Sequence, residues 1–207
     1  MKNRFLLSIV LMLLCISAAR AEVVTLGSGT NTNTALPFPA NWKYNFTQQI
    51  YTSTEIGTTG SITSIAFYAE SSSSSTHIRN LNVYMSLTDK SSFSSAADWE
   101  TVSESNKVFS GNVEFNMERW NVITLDTPFQ YNGTKNLCIT INDVTGSYLS
   151  SIQWRVYNDG SKSIAWYNDN EAYDVTALSS ATGSGSKTTF DYKSQVQLTF
   201  AGGGSSD

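Results

Sequence analysis

Leu81-Asn82-Val83-Tyr84-Met85-Ser86-Leu87 places an apolar side chain at every odd position. A period of two marks a strand with one face in a core and the other toward solvent. The pattern recurs along the chain. Leu137, Ile139 and Ile141 alternate with Cys138, Thr140 and Asn142, and Val196, Leu198 and Phe200 alternate with Gln195, Gln197 and Thr199. Trp154 and Val156 alternate with Gln153, Arg155 and Tyr157. Strands with one wet face belong to antiparallel sheets, because parallel sheets are covered on both sides.

Outward from residues 81–87, the spacing predicts strands near 23–28, 45–52, 61–69, 78–87, 107–116, 120–126, 136–142, 151–158, 163–167 and 190–200. Turn-forming residues separate them: the serine run Ser71 to Ser75, Asn132-Gly133, Asp159-Gly160, and Gly183-Ser184-Gly185-Ser186. Asn-Gly and Asp-Gly favour the positive φ angles of tight hairpins. A short helical turn is expected around Ser95 to Trp99. About ten short antiparallel strands imply an all-β fold, a two-sheet β-sandwich of jelly-roll type.

The N-terminus reads as a targeting segment. Lys2 and Arg4 precede an apolar run from Phe5 to Ile16, and Ala19-Arg20-Ala21 supplies the small residues of a cleavage site. The run is shorter than the roughly 20 apolar residues a membrane helix requires. A signal peptide over 1–21 is expected; a buried N-terminal helix is the competing reading. Leu14 before Cys15 does not suit a lipoprotein signal. Residues 22–200 form the expected sandwich, and Ala201 to Asp207 reads as a flexible tail or the start of a linker to a further domain.

Cleavage removes three of the 13 Lys and Arg residues and leaves all 17 Asp and Glu. An acidic surface argues against nucleic acid and anionic membrane as partners, since both need clustered cations. Cys138 is then alone, so no internal disulfide can form, and its apolar neighbours suggest a buried, inert thiol.

Several of these strands carry a resemblance. Glu55-Ile56-Gly57-Thr58-Thr59-Gly60-Ser61-Ile62-Thr63-Ser64-Ile65-Ala66-Phe67-Tyr68, Arg79 to Met85, Trp120 to Phe129, Tyr131-Asn132-Gly133 and Asn136 to Ile141 resemble the jelly-roll modules of gingipain and haemagglutinin "cleaved adhesin" proteins. The likeness covers most of 23–200. It implies display at the surface of a Gram-negative bacterium or release from it, and a part in adhesion or as an accessory domain. The same module accompanies peptidases and adhesins alike, so it says little about chemistry.

Catalytic motifs are absent. His77 is the only histidine, no Gly-x-Ser-x-Gly elbow occurs, and His77 reads as an exposed strand-edge residue. One His and one Cys cannot build a zinc site. Asp159, Asp169, Glu171 and Asp174 lie among Asn158, Asn168 and Asn170, an oxygen-rich stretch that suits calcium, although EF-hand spacing is lacking. The resemblance also favours structural calcium; solvated turns are the plainer account.

Aromatic residues remain. Trp120, Trp154 and Trp166 are in phase with Val122, Val156 and Ile164 and are expected in the core. Tyr84, Tyr157 and Tyr167 fall on the opposite phase, expected at the surface. Trp42, Tyr44 and Trp99 lie in irregular segments, where binding residues concentrate. Trp42, Tyr44, Trp99, Tyr157 and Tyr167 are therefore the candidate ligand contacts, with ordinary packing as the alternative for each. The expected function is a non-catalytic adhesion or binding module for a glycan or an extracellular protein. The rivals are a structural accessory domain of a larger secreted peptidase or adhesin, and a carbohydrate-active hydrolase.

Overall fold

A computed structural model describes residues 20–179 and 185–202. The signal-peptide reading falls largely outside these residues, as does most of the expected tail. Eleven strands, all paired antiparallel, make up nearly all the described structure: β1 (Glu22–Leu26), β2 (Thr32–Asn33), β3 (Tyr44–Tyr51), β4 (Gly60–Ser72), β5 (Thr76–Thr88), β6 (Lys107–Asn116), β7 (Arg119–Tyr131), β8 (Asn136–Asp143), β9 (Ile152–Asn168), β10 (Ser186–Ser194) and β11 (Val196–Phe200). One sheet contains β1, β11, β4 and β7. The other contains β6, β5, β8, β3, the second half of β9, and β10. Among the described residues, no helix is long and apolar enough to cross a membrane.

The alternating residues do what their period requires. Leu81, Val83, Met85, Leu137, Ile139, Ile141, Val196, Leu198 and Phe200 are buried in one apolar cluster with Ile65, Phe67, Ile123 and Trp154. Burial of such surface is worth about 25 cal/mol per Å². Asn132-Gly133 makes the predicted turn between β7 and β8, with Gly133 at φ +72°.

Two predicted breaks take another form. Residues 151–158 and 163–167 are one strand, β9, with Asp159 to Lys162 bulged out of its pairing with β10. Gly160, at φ +68°, accommodates the bulge. Before it, β9 pairs with β4 in the first sheet; after it, β9 pairs with β3 in the second. The predicted strand 190–200 divides likewise into β10 and β11, one in each sheet, at Gln195. Strands that pass between sheets through bulges form the corners of a sandwich. A capped helical turn, α1 (Ser53–Ile56), follows β3 and was not signalled by any apolar period.

A second layer explains one departure from the phase argument. Phe46, Tyr84 and Trp166 lie on the outer face of the second sheet, yet all three are buried with Val102, Tyr173 and Val175. The segment 93–102 wraps this face: Trp166 Nε1 donates to Ala96 O (2.6 Å), and Gln48 exchanges hydrogen bonds with the Glu100 backbone (2.7 Å each). Tyr84 is thus covered rather than exposed. Trp120 departs in the opposite sense. It shares a face with Val122, but that face is solvent, where Val122 is 60% exposed. Trp120 is half-buried against Tyr68 (centroids 5.6 Å apart), while Ile123 and Leu125 supply β7 to the core.

Candidate functional site

The segment between β2 and β3 is irregular but firmly held. Leu36, Phe38 and Ala40 are buried, and the Phe38 ring packs against Phe115 and Trp154 at 5.2 and 5.0 Å. Asn45 Nδ2 donates to Pro39 O (3.4 Å), and Thr47 Oγ1 donates to Pro37 O. Arg79, wholly buried, completes the anchor. Its Nε and Nη2 donate to Asp143, its Nη1 to Ala40 O and Ser147 O (3.2 Å each), and its Nη2 to Trp42 O (3.1 Å). The backbone of Trp42 is therefore tied to a buried ion pair while its ring stays half-exposed.

That ring lies against Tyr167 of β9, with centroids 4.7 Å apart and planes inclined by 39°. Strand register places Tyr167 opposite Asn45 and Ser186, Ala165 opposite Thr47 and Thr188, and Ser163 opposite Gln49 and Phe190. Thr47 in turn faces Ile141 of the core, so these residues occupy the inward face of the sheet. At this edge the segment 33–42, rather than a strand of the other sheet, forms the opposing wall.

A groove of about 320 Å³ runs there between Asn33, Thr34 and Asn41 on one side and Tyr167, Thr188, Phe190 and Tyr192 on the other. A second depression, of about 350 Å³, lies beside it between Trp42, Tyr167, Asp169 and Ser186. Trp42 and Tyr167 line both. The Phe190 and Tyr192 rings are 5.0 Å apart. Burial, with the Tyr167 phenol nearby, pushes the Tyr192 hydroxyl up to about 12, which keeps it a hydrogen-bond donor at neutral pH. Asp169 accepts from Lys43 N (3.0 Å) and from the Tyr148 hydroxyl. Aromatic faces beside amides, hydroxyls and one carboxylate can stack on the C–H face of a pyranose and bond its hydroxyls.

The structure brings together two of the five predicted contacts, Trp42 and Tyr167. Tyr44 sits nearby under Gly146, in the same strand as the Asn45 that faces Tyr167. Trp99 packs edge-on against Trp166 at 5.3 Å in the outer layer, away from the groove. Tyr157 belongs to an internal network: its hydroxyl donates to Glu55 Oε1 (2.6 Å), and its ring lies near the buried ammonium of Lys193. Phe190 and Tyr192 fall within the predicted strand 190–200 and were not singled out; their aromatic character was the one signal the sequence carried.

The acidic stretch does not converge. Asp159 pairs with Lys162 at 2.9 Å and Lys193 at 2.6 Å. Asp174 Oδ1 accepts from Thr176 N and Oγ1 within its own turn, Asp169 serves the groove, and Glu171 is exposed. Among the described residues, no three His, Cys, Asp or Glu side chains group as a metal site. The four residues are thus engaged at separate places rather than gathered as one group of carboxylates.

His77 is buried, not at an exposed strand edge. Its Nε2 lies 2.8 Å from Ser72 Oγ across the β4–β5 hairpin, and its Nδ1 has no partner among the described residues. A triad needs a third group at Nδ1 to orient the ring, and this pair lacks one. Cys138 is fully buried, and burial pushes its thiol far above the ordinary value, so it is held as an unreactive thiol.

Compared with protein-family models, curated proteins and solved structures, the chain matches none.

Proposed function

We propose that this chain is a non-catalytic binding module, secreted or displayed at the cell surface, whose ligand is a glycan seated against Trp42 and Tyr167. The observation that carries this reading is the ring pair itself: two half-buried aromatic side chains 4.7 Å apart, held by a buried scaffold, opening into polar depressions. The leader-like N-terminus and the resemblance to cleaved-adhesin modules support export and adhesion. Glycoside hydrolysis needs two carboxyl groups flanking the bond, and among the described residues lining the two depressions Asp169 is the one carboxylate.

The test is a glycan-array screen of residues 22–207, followed by titration of Trp42→Ala and Tyr167→Ala. Saturable binding is expected. Either variant should weaken it tenfold or more, as loss of a central aromatic contact typically does, with little change in melting temperature. A chelator should leave binding unchanged, because Asp159 is paired with Lys162 and Lys193, Asp174 is held within its own turn by Thr176, and no three acidic side chains among the described residues group together. Glycan binding that survives both substitutions, or no glycan binding at all, would sink the proposal and redirect attention to a protein ligand.

A further inference from the structure

Resting on that reading, we infer that the site takes a neutral oligo- or polysaccharide, at least two sugar units at once, rather than a single sugar or an acidic glycan. Three observations carry this. Two depressions adjoin, and Trp42 and Tyr167 line both, so an occupant of one is next to an occupant of the other. Their volumes, about 320 and 350 Å³, sit at the bottom of the range for small-molecule sites. A ligand that satisfies the whole surface must therefore extend through both.

Charge sets the class. Among the described residues lining either depression, Asp169 is the sole charged side chain, and no Lys or Arg contributes. Lys187, on the neighbouring strand, points to the other face, where its ammonium lies 3.7 Å from the Trp166 ring. Lys43 offers Asp169 its backbone N–H, while its ammonium sits 5.0 Å over the Tyr148 ring. A uronate or sulfate in this groove would meet a carboxylate with no cation to offset it. Neutral hydroxyls and acetamides find donors and acceptors in Asn33, Asn41, Thr188 and Ser186 instead.

Chain length follows from binding thermodynamics. The loss of translational and rotational freedom is incurred once per ligand, so contacts in the second depression add to affinity without a second such penalty. Affinity should rise steeply from one unit to two or three and then level off.

The experiment is calorimetric titration of residues 22–207 with cello-, manno- and N-acetylchito-oligosaccharides of one to six units, and with oligogalacturonate. The expected result is at least one neutral series that gains about tenfold or more between one unit and three, with no binding of oligogalacturonate. Phe190→Ala, which alters one depression only, should flatten this length dependence while Tyr167→Ala abolishes binding. Full affinity for a single sugar, or tighter binding of the acidic chain, would overturn the inference and leave the glycan-binding reading intact. Binding of none of these ligands would overturn both.

Discussion

Arg79 illustrates how much a single side chain decides. It presents donors to Ala40 O, Trp42 O, Ser147 O and the Asp143 carboxylate, all without solvent. Removing one partner of such a pair leaves the other charge buried, typically at 3–5 kcal/mol. Arg79→Met should accordingly lower stability by about that amount in chemical denaturation. Arg79→Lys keeps the charge but not the planar fork, so it should fold with a smaller loss and still bind glycan more weakly, since the Trp42 backbone would lose its donor. Undiminished affinity in a folded Arg79→Lys variant would show that the anchor does not set the site. Nothing in the sequence distinguishes Arg79 from a surface arginine, because its partners lie 37 to 68 residues away. Trp42 was legible as a candidate from chain irregularity, whereas Tyr167, expected on the outward phase, lies on the inward face of its sheet; their stacking on one another was not legible.

At the scale of elements, the corner built by β9 to β11 is what opens the groove. Parity along one strand predicts faces only while the strand stays in one sheet. Phe190 and Tyr192 have the parity of Leu198, but the break at Gln195 and the bulge at Asp159 to Lys162 place them in a different sheet. Two glycines test the local packing at this corner. Gly27 has φ +80°, and a Cβ there would lie 2.2 Å from the Tyr157 ring. Gly160 has φ +68° with nothing within 4 Å of an added Cβ. Gly160→Ala should therefore incur about 1 kcal/mol of backbone strain. Gly27→Ala should add an overpacking penalty of about 1–3 kcal/mol. Equal urea midpoints for the two variants would contradict the close approach of Tyr157 to Gly27.

For the whole molecule, buried charge predicts sensitivity to acid. Burial alone would raise the Glu55 carboxyl, but the Lys193 ammonium, the Tyr157 hydroxyl and the Thr52 N–H outweigh it and hold it below its ordinary 4.5. Asp159 is also held low: burial opposes ionisation, but Lys193 and Lys162 more than offset it. Both carboxylates contribute stability that is present above the unfolded values and lost as pH falls through the folded ones. His77 is depressed below 6.5 by burial and by the Arg79 charge. It is held neutral, so the unfolded chain takes up protons first, and stability falls as pH drops below about 6.5. Denaturant stability should be level near neutral pH, decline below about 6.5 and fall further below about 4.5. His77→Asn should remove the first decline and leave the second; a profile flat down to pH 5 in the parent chain would count against the His77 assignment.

The amino-acid sequence by itself determined the fold class, since a two-residue period commits each strand to one dry face and to antiparallel pairing. It also indicated the Asn132-Gly133 turn and the buried Cys138, both properties of residues and their immediate neighbours. Tertiary structure alone decided which outward faces stay wet: the 93–102 segment covers Tyr84 and Trp166, whereas Val122 is left 60% exposed. It likewise decided that Asp159 serves Lys193 and that Trp42 meets Tyr167, 125 positions away. Period constrains a side chain to a face, but contacts between distant segments determine what that face meets.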